Sequence, residues 1–384
     1  MTEFSAADHA HMARSLQLAA LGQYSTAPNP AVGCVLLDAG GAVAGEGWHR
    51  RAGEPHAEVH ALQVAAGRAR GGTAYVTLEP CSHHGRTPPC ADALIAAGLR
   101  RVVTAMQDPD PRVAGQGISR LRHAGIETVV GLMAREATEL NRGFIARMAR
   151  GLPWVTVKLG MSADGRIALA DGSSQWITAA AARADVQRLR ARASAVLSGI
   201  GTVLMDDPAL TVRGATLETH GREPLRVVFD AKGRLPTQSK LATDGKSTLV
   251  FTAAGAAPAQ QSPPQATHAQ VNRGDASGPL RTEAIATDDS GRIDIAAALR
   301  RLAELECNEV LVEAGPRLAG SFVASGLVDE IVLYVAPTLL GDTAQPAFVL
   351  PQPLRALGER ARFTYHDVRQ VGPDLRVTLR PLES

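Results

Sequence analysis

His56 and Glu58 stand two residues apart in PHAEVH, and Cys81 and Cys90 bracket the eight residues SHHGRTPP. An imidazole and two thiolates make three zinc ligands, and a catalytic zinc keeps its fourth position for water. Glu58 is then the spare carboxylate. Two residues beyond a ligand at a helix start, it leans towards that water without binding the metal, where a carboxylate can take a proton and hand it to a departing amine. That is the chemistry of hydrolytic deamination. Zinc deaminases carry His-x-Glu followed by Pro-Cys-x-x-Cys. His56-Ala57-Glu58 and Pro80-Cys81 match, and the longer gap to Cys90 does not. A purely structural zinc with His83 or His84 as fourth ligand is the alternative, and it leaves Glu58 only a helix-dipole role.

A second group of residues lies beyond residue 150. No GxGxxG or GxxxxGK[ST] loop is present, so the usual phosphate fingerprints are absent. In VLVEAGPRLAGSF, however, an apolar strand passes through Gly315 and Pro316 into a helix, whose first amides can meet an anion. Arg213 offers a planar fork suited to a phosphate. Arg190 lies on ARADVQRLRARA, where an arginine is as readily solvated as functional. Lys158 and the turn pair Asp164-Gly165 are equally open between site and scaffold. In Asp206-Asp207-Pro208, Asp206 is the carboxyl that can support hydride transfer to a sugar C1, with capping as the alternative for both acids.

The elements that must position these residues follow from periodicity. Residues 5–22 read as a helix, CVLLD and AVAGEGW as a strand hairpin, and PHAEVHALQVAA as a helix with its proline just before the start. TAYVTLEP reads as a strand ending just before Cys81. ADALIAAG, RRVVTAM, ISRLRHAG and IETVVGL then alternate helix and strand, which predicts a three-layer α/β domain with a largely parallel sheet. The pattern restarts at GLPWVTVKLG, so the domains are 1–150 and 151–384. In the second, ASAVLSGIGTVL, PLRVVFD, STLVFTA, NEVLVEAG, EIVLYVAP and DLRVTLR read as strands, and the Ala/Pro/Gln-rich segment around 253–270 as a surface loop.

Composition narrows the functional classes. With 384 residues, 45% of them hydrophobic and 20% charged, the chain can bury two cores. A net charge of +2 without a basic stripe, and 4% aromatic residues, argue against nucleic acid. The N-terminus lacks the basic start and apolar core of a signal peptide, and no apolar run is long enough to span a bilayer. Only four cysteines occur, so reduced thiols and a cytoplasmic location are expected, with Cys34 and Cys307 as core thiols.

The stretches PNPAVGCV, HAEVHAL, LEPCSHHGRTPPC and QDPDPRVAGQGISRLRHAGIETVVG resemble the deaminase half of the bifunctional riboflavin-biosynthesis deaminase/reductase family, in which the long inter-cysteine loop is characteristic. KLGMSADGRIA, SSQWIT, GIGTVLMDDPALTVR and EAGPRLAGSF follow in the order of that family's reductase half. The resemblance covers nearly the whole chain. It implies a cytidine-deaminase-like zinc-dependent pyrimidine deaminase domain followed by a dihydrofolate-reductase-like domain that uses NADPH. Zinc ligands His56, Cys81 and Cys90, with Glu58 as proton shuttle, are implied for the first, and Asn29 for contact with the pyrimidine. In the second, Gly160, Trp176, Thr202, Asp206 and the turn Gly315, Pro316, Arg317, Leu318, Ala319, Gly320 and Ser321 are implied to face the cofactor. Ser174, Arg190, Leu210, Arg213 and Glu313 are implied to face the substrate, a phosphorylated pyrimidine. The segment with Asp108 and Asp110 belongs near the first site, as turn formers or as functional residues. Self-association into a homo-oligomer is expected. Three rivals remain at this point: a deaminase of RNA bases or nucleosides, a non-catalytic zinc-stabilised binding module fused to a nucleotide-sensing domain, and a second half that reduces dihydrofolate.

Overall fold

The computed structural model describes residues 4–82, 89–111, 113–214, 217–256 and 280–382. Two compact units emerge from the contacts, one formed by 1–152 with 218–222 and the other by 153–217 with 223–384. His83, His84 and most of the Ala/Pro/Gln-rich segment lie outside the described residues.

The first unit contains helices α1 (Ala6–Leu21), α2 (Ala57–Ala65), α3 (Cys90–Ala96), α4 (Gln116–His123), α5 (Ala134–Leu140) and α6 (Arg142–Arg150). Its strands are β1 (Gly33–Leu37), β2 (Val43–Trp48), β3 (Thr73–Val76), β4 (Arg101–Thr104) and β5 (Glu127–Val130). They form one sheet in the order β2-β1-β3-β4-β5. β1 pairs antiparallel with β2 and β3, while β3, β4 and β5 run parallel. The sheet is therefore mixed, not largely parallel, because the β1–β2 hairpin reverses the chain before the first helical crossover.

One core cluster packs Ala57, Ala61, Leu94 and Leu121 beneath the sheet; the other packs Met12, Leu18, Leu132 and Ala137 above it. Helices thus cover both faces, giving the three layers expected. α1 starts at Ser5 through a capping box, in which the Ser5 hydroxyl accepts from Asp8 N–H at 3.1 Å and Asp8 accepts from Ser5 N–H at 2.9 Å. The same carboxylate accepts from Tyr75 Oη and Arg101 Nη1, both at 2.8 Å, and so fastens the helix to β3 and β4.

The second unit holds strands β6 (Trp154–Ser162), β7 (Arg166–Ala168), β8 (Ala195–Gly199), β9 (Leu225–Phe229), β10 (Thr248–Ala253) and β11 (Arg281–Ile285). β12 (Glu309–Val312), β13 (Glu330–Ala336), β14 (Gln345–Pro346), β15 (Phe363–Val371) and β16 (Asp374–Pro381) complete them. Its helices are α7 (Ala180–Arg192), α8 (Ile200–Asp206), α9 (Lys240–Thr243), α10 (Ile295–Glu304) and α11 (Pro316–Ala324). Nine strands make one sheet in the order β11-β10-β9-β8-β12-β6-β13-β16-β15, parallel up to β13 and antiparallel thereafter. The strand expected over ASAVLSGIGTVL stops at Gly199, and α8 follows. Its apolar residues continue into a helix whose Ile200 and Val203, three apart, are the buried ones. Among the described residues, no helix is long and apolar enough to cross a membrane.

Candidate active sites

His56 is the N-cap of α2 in extended conformation, which leaves its ring free of the helix, while Glu58 sits in the first turn, 3% exposed. Cys81 follows β3, and Cys90 opens α3. Their ligating atoms converge: His56 Nδ1 lies 3.6 Å from Cys81 Sγ and 3.3 Å from Cys90 Sγ, and all three atoms fall within 4.8 Å of one another. Bonds of about 2.1 Å to nitrogen and about 2.3 Å to sulfur put the two donors of a tetrahedral zinc roughly 3.6 Å apart. The soft N/S donor set therefore fits zinc in number, type and spacing.

The electrostatics favour the ligating form at Cys81 alone: hydrogen bonding with Cys81 pushes the Cys90 thiol up and raises the His56 imidazole. Hydrogen bonding with Cys90 and His56 holds the Cys81 thiol well below its ordinary range, despite burial. The Cys90 N–H donates to Cys81 Sγ at 3.3 Å. Burial pushes the Glu58 carboxyl up to about 7, against the pull of His56. A cation beside it acts in the opposite direction, so the group is poised for proton transfer near neutral pH.

Two supports of this site were missed by sequence reasoning. His49, at the end of the hairpin, is buried and its ring meets the edge of His56 at a 5.2 Å centroid distance. Its Nε2 is 3.1 Å from Asn29 Nδ2, and its Nδ1 is 3.2 Å from the Pro55 carbonyl. Asn29 is thereby tied to the residues preceding the zinc ligand. A lone histidine in GWHR gives little signal, since nothing local marks its partner. Glu79, two residues before Cys81, accepts four backbone N–H groups, from Asp108, Gly115, Gly117 and Ile118. Asp108, whose N–H reaches Glu79, accepts from Asp110 N–H through its Oδ1 at 2.8 Å. Cys34 and Cys307 are buried, as expected of core thiols.

In the second unit a cleft of roughly 2140 Å³ opens over the strand ends. That exceeds the roughly 300–1,000 Å³ usual for one small ligand and leaves room for a dinucleotide beside a substrate. Gly160, Ser174, Trp176, Arg190, Thr202, Asp206, Leu210, Arg213 and Glu313 border it, with Gly315, Pro316, Arg317, Leu318 and Ser321 of the α11 start. Ala319 and Gly320 do not. Both are buried on the inner side of α11, and a Cβ on Gly320 would meet the Val349 carbonyl at 2.0 Å, so that glycine serves packing. Leu210 borders the cleft, but its side chain is 2% exposed within the core cluster of this unit.

The charged centre is Glu313. Arg190 binds it two-pronged, Nε to Oε1 at 2.5 Å and Nη2 to Oε2 at 3.0 Å, and Lys158 Nζ approaches Oε2 at 3.1 Å. Burial works to raise this carboxyl, yet Lys158 and Arg190 outweigh it and hold the group well below its ordinary range. The trio carries a net positive charge. Trp176 is 67% exposed, with the Arg183 guanidinium 4.6 Å from its ring centre. Thr202 Oγ1 accepts the Gly315 N–H at 3.1 Å and joins α8 to the α11 start. Burial raises the pKa of Asp206.

Two residues left open by the sequence are scaffold. Asp164 accepts from the Ser162 hydroxyl at 2.5 Å and from Leu340 and Gly341 N–H. Asp207 caps the C-terminus of α8 and accepts from Lys240 N–H at 2.9 Å.

Two sites of different chemistry in one chain define a bifunctional enzyme, a zinc-type deaminase in front of a dinucleotide-dependent reductase of dihydrofolate-reductase-like fold. Residues 5–106 match the family model of the cytidine and deoxycytidylate deaminase zinc-binding region, and residues 153–377 that of the RibD C-terminal domain. The riboflavin biosynthesis protein RibD of Escherichia coli (strain K12) is 46% identical over 379 residues, spanning 96% of this chain and 98% of that one. Its counterpart from Haemophilus influenzae is 44% identical, with 99% of both chains covered. Among solved structures, Acinetobacter baumannii RibD superposes with a TM-score of 0.85 at 39% identity, covering 98% of this chain and 99% of that one. The Thermotoga maritima diaminohydroxyphosphoribosylaminopyrimidine deaminase/5-amino-6-(5-phosphoribosylamino)uracil reductase superposes with a TM-score of 0.83 at 32% identity, with the same coverage. The chain belongs to the RibD family of riboflavin biosynthesis proteins. Zinc and NADPH are the groups its two halves use.

Proposed function

We propose that the first unit deaminates 2,5-diamino-6-(5-phosphoribosylamino)pyrimidin-4-one and that the second reduces the ribosyl side chain of the resulting 5-amino-6-(5-phosphoribosylamino)uracil to ribityl. His56, Cys81 and Cys90 hold the zinc. When bound, zinc supplies the Lewis acidity that makes water nucleophilic near neutral pH, and NADPH supplies the hydride. Glu58 accepts the proton of the attacking water and delivers it to the departing amine. Asn29, steadied by His49, holds the pyrimidine. The observation that carries this half is a buried carboxylate beside three converging metal donors.

In the second unit, the α11 start with Gly160, Trp176 and Thr202 receives the dinucleotide. Arg213 takes the substrate phosphate, and Ser174 and the Lys158–Arg190–Glu313 trio orient the sugar. Hydride arriving at C1 needs that carbon polarised, and Asp206, its proton affinity raised by burial, relays the accompanying proton. The substrate partner is thus a small phosphorylated pyrimidine. Only four cysteines in 384 residues favour the cytoplasm. β15, the last strand of its sheet with Tyr365 and Val368 exposed, favours self-association.

Ammonia release from the diaminopyrimidine phosphate tests the first half. Zinc-loaded wild type should release one equivalent, and Glu58→Gln almost none while retaining its zinc. Ammonia release by the variant at the wild-type rate would sink the assignment of Glu58.

A further inference from the structure

We infer that Asn141, between α5 and α6, is a positioning residue of the deaminase site: it fixes the backbone at Ala31 and thereby holds Asn29 where it meets the pyrimidine. The inference rests on the reading of Asn29 as the pyrimidine contact and adds what keeps that residue in place.

Asn141 stands at the start of α6, where an asparagine ordinarily turns its side chain back onto the first amides of its own helix. Here it makes no such bond. The side chain is 5% exposed, and both ends of its amide go to one residue 110 positions away. Its Oδ1 accepts the Ala31 N–H at 2.8 Å, and its Nδ2 donates to the Ala31 carbonyl at 2.9 Å.

This paired donor and acceptor copies the exchange between two opposed residues of a sheet. Two residues further on, Gly33 makes the same kind of exchange with Thr77, donating to its hydroxyl and accepting its N–H, both at 3.1 Å. β3 ends at Val76, so among the described residues no strand stands opposite Ala31, and the Asn141 amide takes that place. Without it, both backbone groups of a buried residue lose these bonds.

The link from Ala31 to Asn29 is stiff. Pro30 lies between them and Pro28 precedes Asn29. Proline fixes its own φ and confines the residue before it, so the segment has little freedom to absorb a shift. A movement of Ala31 is passed on to Asn29. The rest of the segment is tied down as well: Asn29 N–H donates to the Thr26 carbonyl at 2.9 Å, and Arg147 of α6 reaches the Pro28 carbonyl at 3.5 Å. Ser25 Oγ donates to the Arg50 carbonyl at 2.7 Å, beside His49.

Of the Asn29 amide, the nitrogen lies against His49. Its oxygen has no hydrogen bond among the described residues, which leaves an acceptor and the second N–H for the edge of a pyrimidine. Hydrogen bonds to a ring edge weaken steeply with angle, so a small displacement of this amide costs affinity. Asn141 itself bonds to none of His56, Glu58, Cys81 and Cys90, so the chemical step is left alone.

The test is deaminase kinetics on the diaminopyrimidine phosphate with full-length, zinc-loaded wild type, Asn29→Ala, Asn141→Ala and the double variant. Loss of the two bonds to Ala31 should raise KM roughly tenfold, with kcat within about twofold of wild type and zinc content unchanged. Because Asn141 acts through Asn29, the double variant should show the KM of Asn29→Ala and not the product of the two effects. A merely structural Asn141 would lower kcat in step with the amount of folded, zinc-bound enzyme and leave KM at the wild-type value, which overturns the inference. Fully multiplicative effects in the double variant overturn it too. Should Asn141→Ala fail to fold, Asn141→Asp, which keeps the acceptor for the Ala31 N–H, still has to raise KM, and a wild-type KM there counts against the inference equally. If Asn29→Ala keeps the wild-type KM, the reading of Asn29 as the pyrimidine contact is what falls.

Discussion

Arg190 on α7 and Glu313 after β12, 123 residues apart in sequence, form a buried two-pronged ion pair at 2.5 and 3.0 Å. Arg190 also donates to the Thr211 carbonyl at 2.9 Å, so one side chain joins a helix, a strand end and the loop leading to Arg213. Removing one partner of a buried pair leaves an uncompensated charge, which costs more than the pair contributes. Arg190→Ala should therefore lower the stability of the second unit by about 3–5 kcal/mol. Arg190→Lys keeps the charge but loses the fork. It should retain most of the stability and still lose reductase turnover, as measured by urea unfolding and NADPH oxidation side by side.

Acid should loosen the first unit through Asp8. Burial works to raise this carboxyl, but hydrogen bonds from Ser5, Tyr75 and Arg101 bring it down from its ordinary 3.8 to about 2. A lowered folded-state pKa contributes stability above the unfolded value, which is lost as pH falls through the folded one. The contribution is about 2 kcal/mol at neutral pH, disappearing between roughly pH 4 and pH 2. Asp8→Asn should be less stable than wild type at pH 7 and converge with it near pH 2, in unfolding curves collected across that range.

Gly117 connects packing to the zinc site. A Cβ there would meet the Pro80 carbonyl at 1.9 Å, immediately before Cys81. Backbone must shift, at a cost of about 1–3 kcal/mol. Gly117→Ala should release zinc to a competing chelator several-fold faster than wild type, with NADPH oxidation of the deaminated intermediate unchanged. Zinc release at the wild-type rate would mean that the 79–82 segment absorbs the shift without moving Cys81.

The zinc cluster was legible because its donors are chemically rare and sit at element ends, where a strand or helix start fixes their direction. Arg190 was not. Its helix is arginine-rich and weakly amphipathic, so local pattern leaves it as readily solvated as functional; its burial is decided by Glu313, which only the fold brings near. His49 and Glu79 escaped for the same reason, since their partners are a side chain and four amides from other segments. Ala319 and Gly320 lie off the cleft because a helix, at about 3.6 residues per turn, brings only part of a seven-residue run onto one face. β15 went unread because an irregularity in register between Tyr365 and Asp367 breaks its alternation.

The most direct test of two sequential sites follows NADPH absorbance after adding the undeaminated diaminopyrimidine phosphate to wild type and to Glu58→Gln. The deaminated intermediate serves as the second substrate for both proteins. The account predicts that wild type oxidises NADPH with either compound, whereas the variant does so only with the intermediate. If folded, zinc-loaded wild type never reduces the intermediate, the assignment of the second unit is contradicted; if Glu58→Gln matches wild type on both, the assignment of the first is.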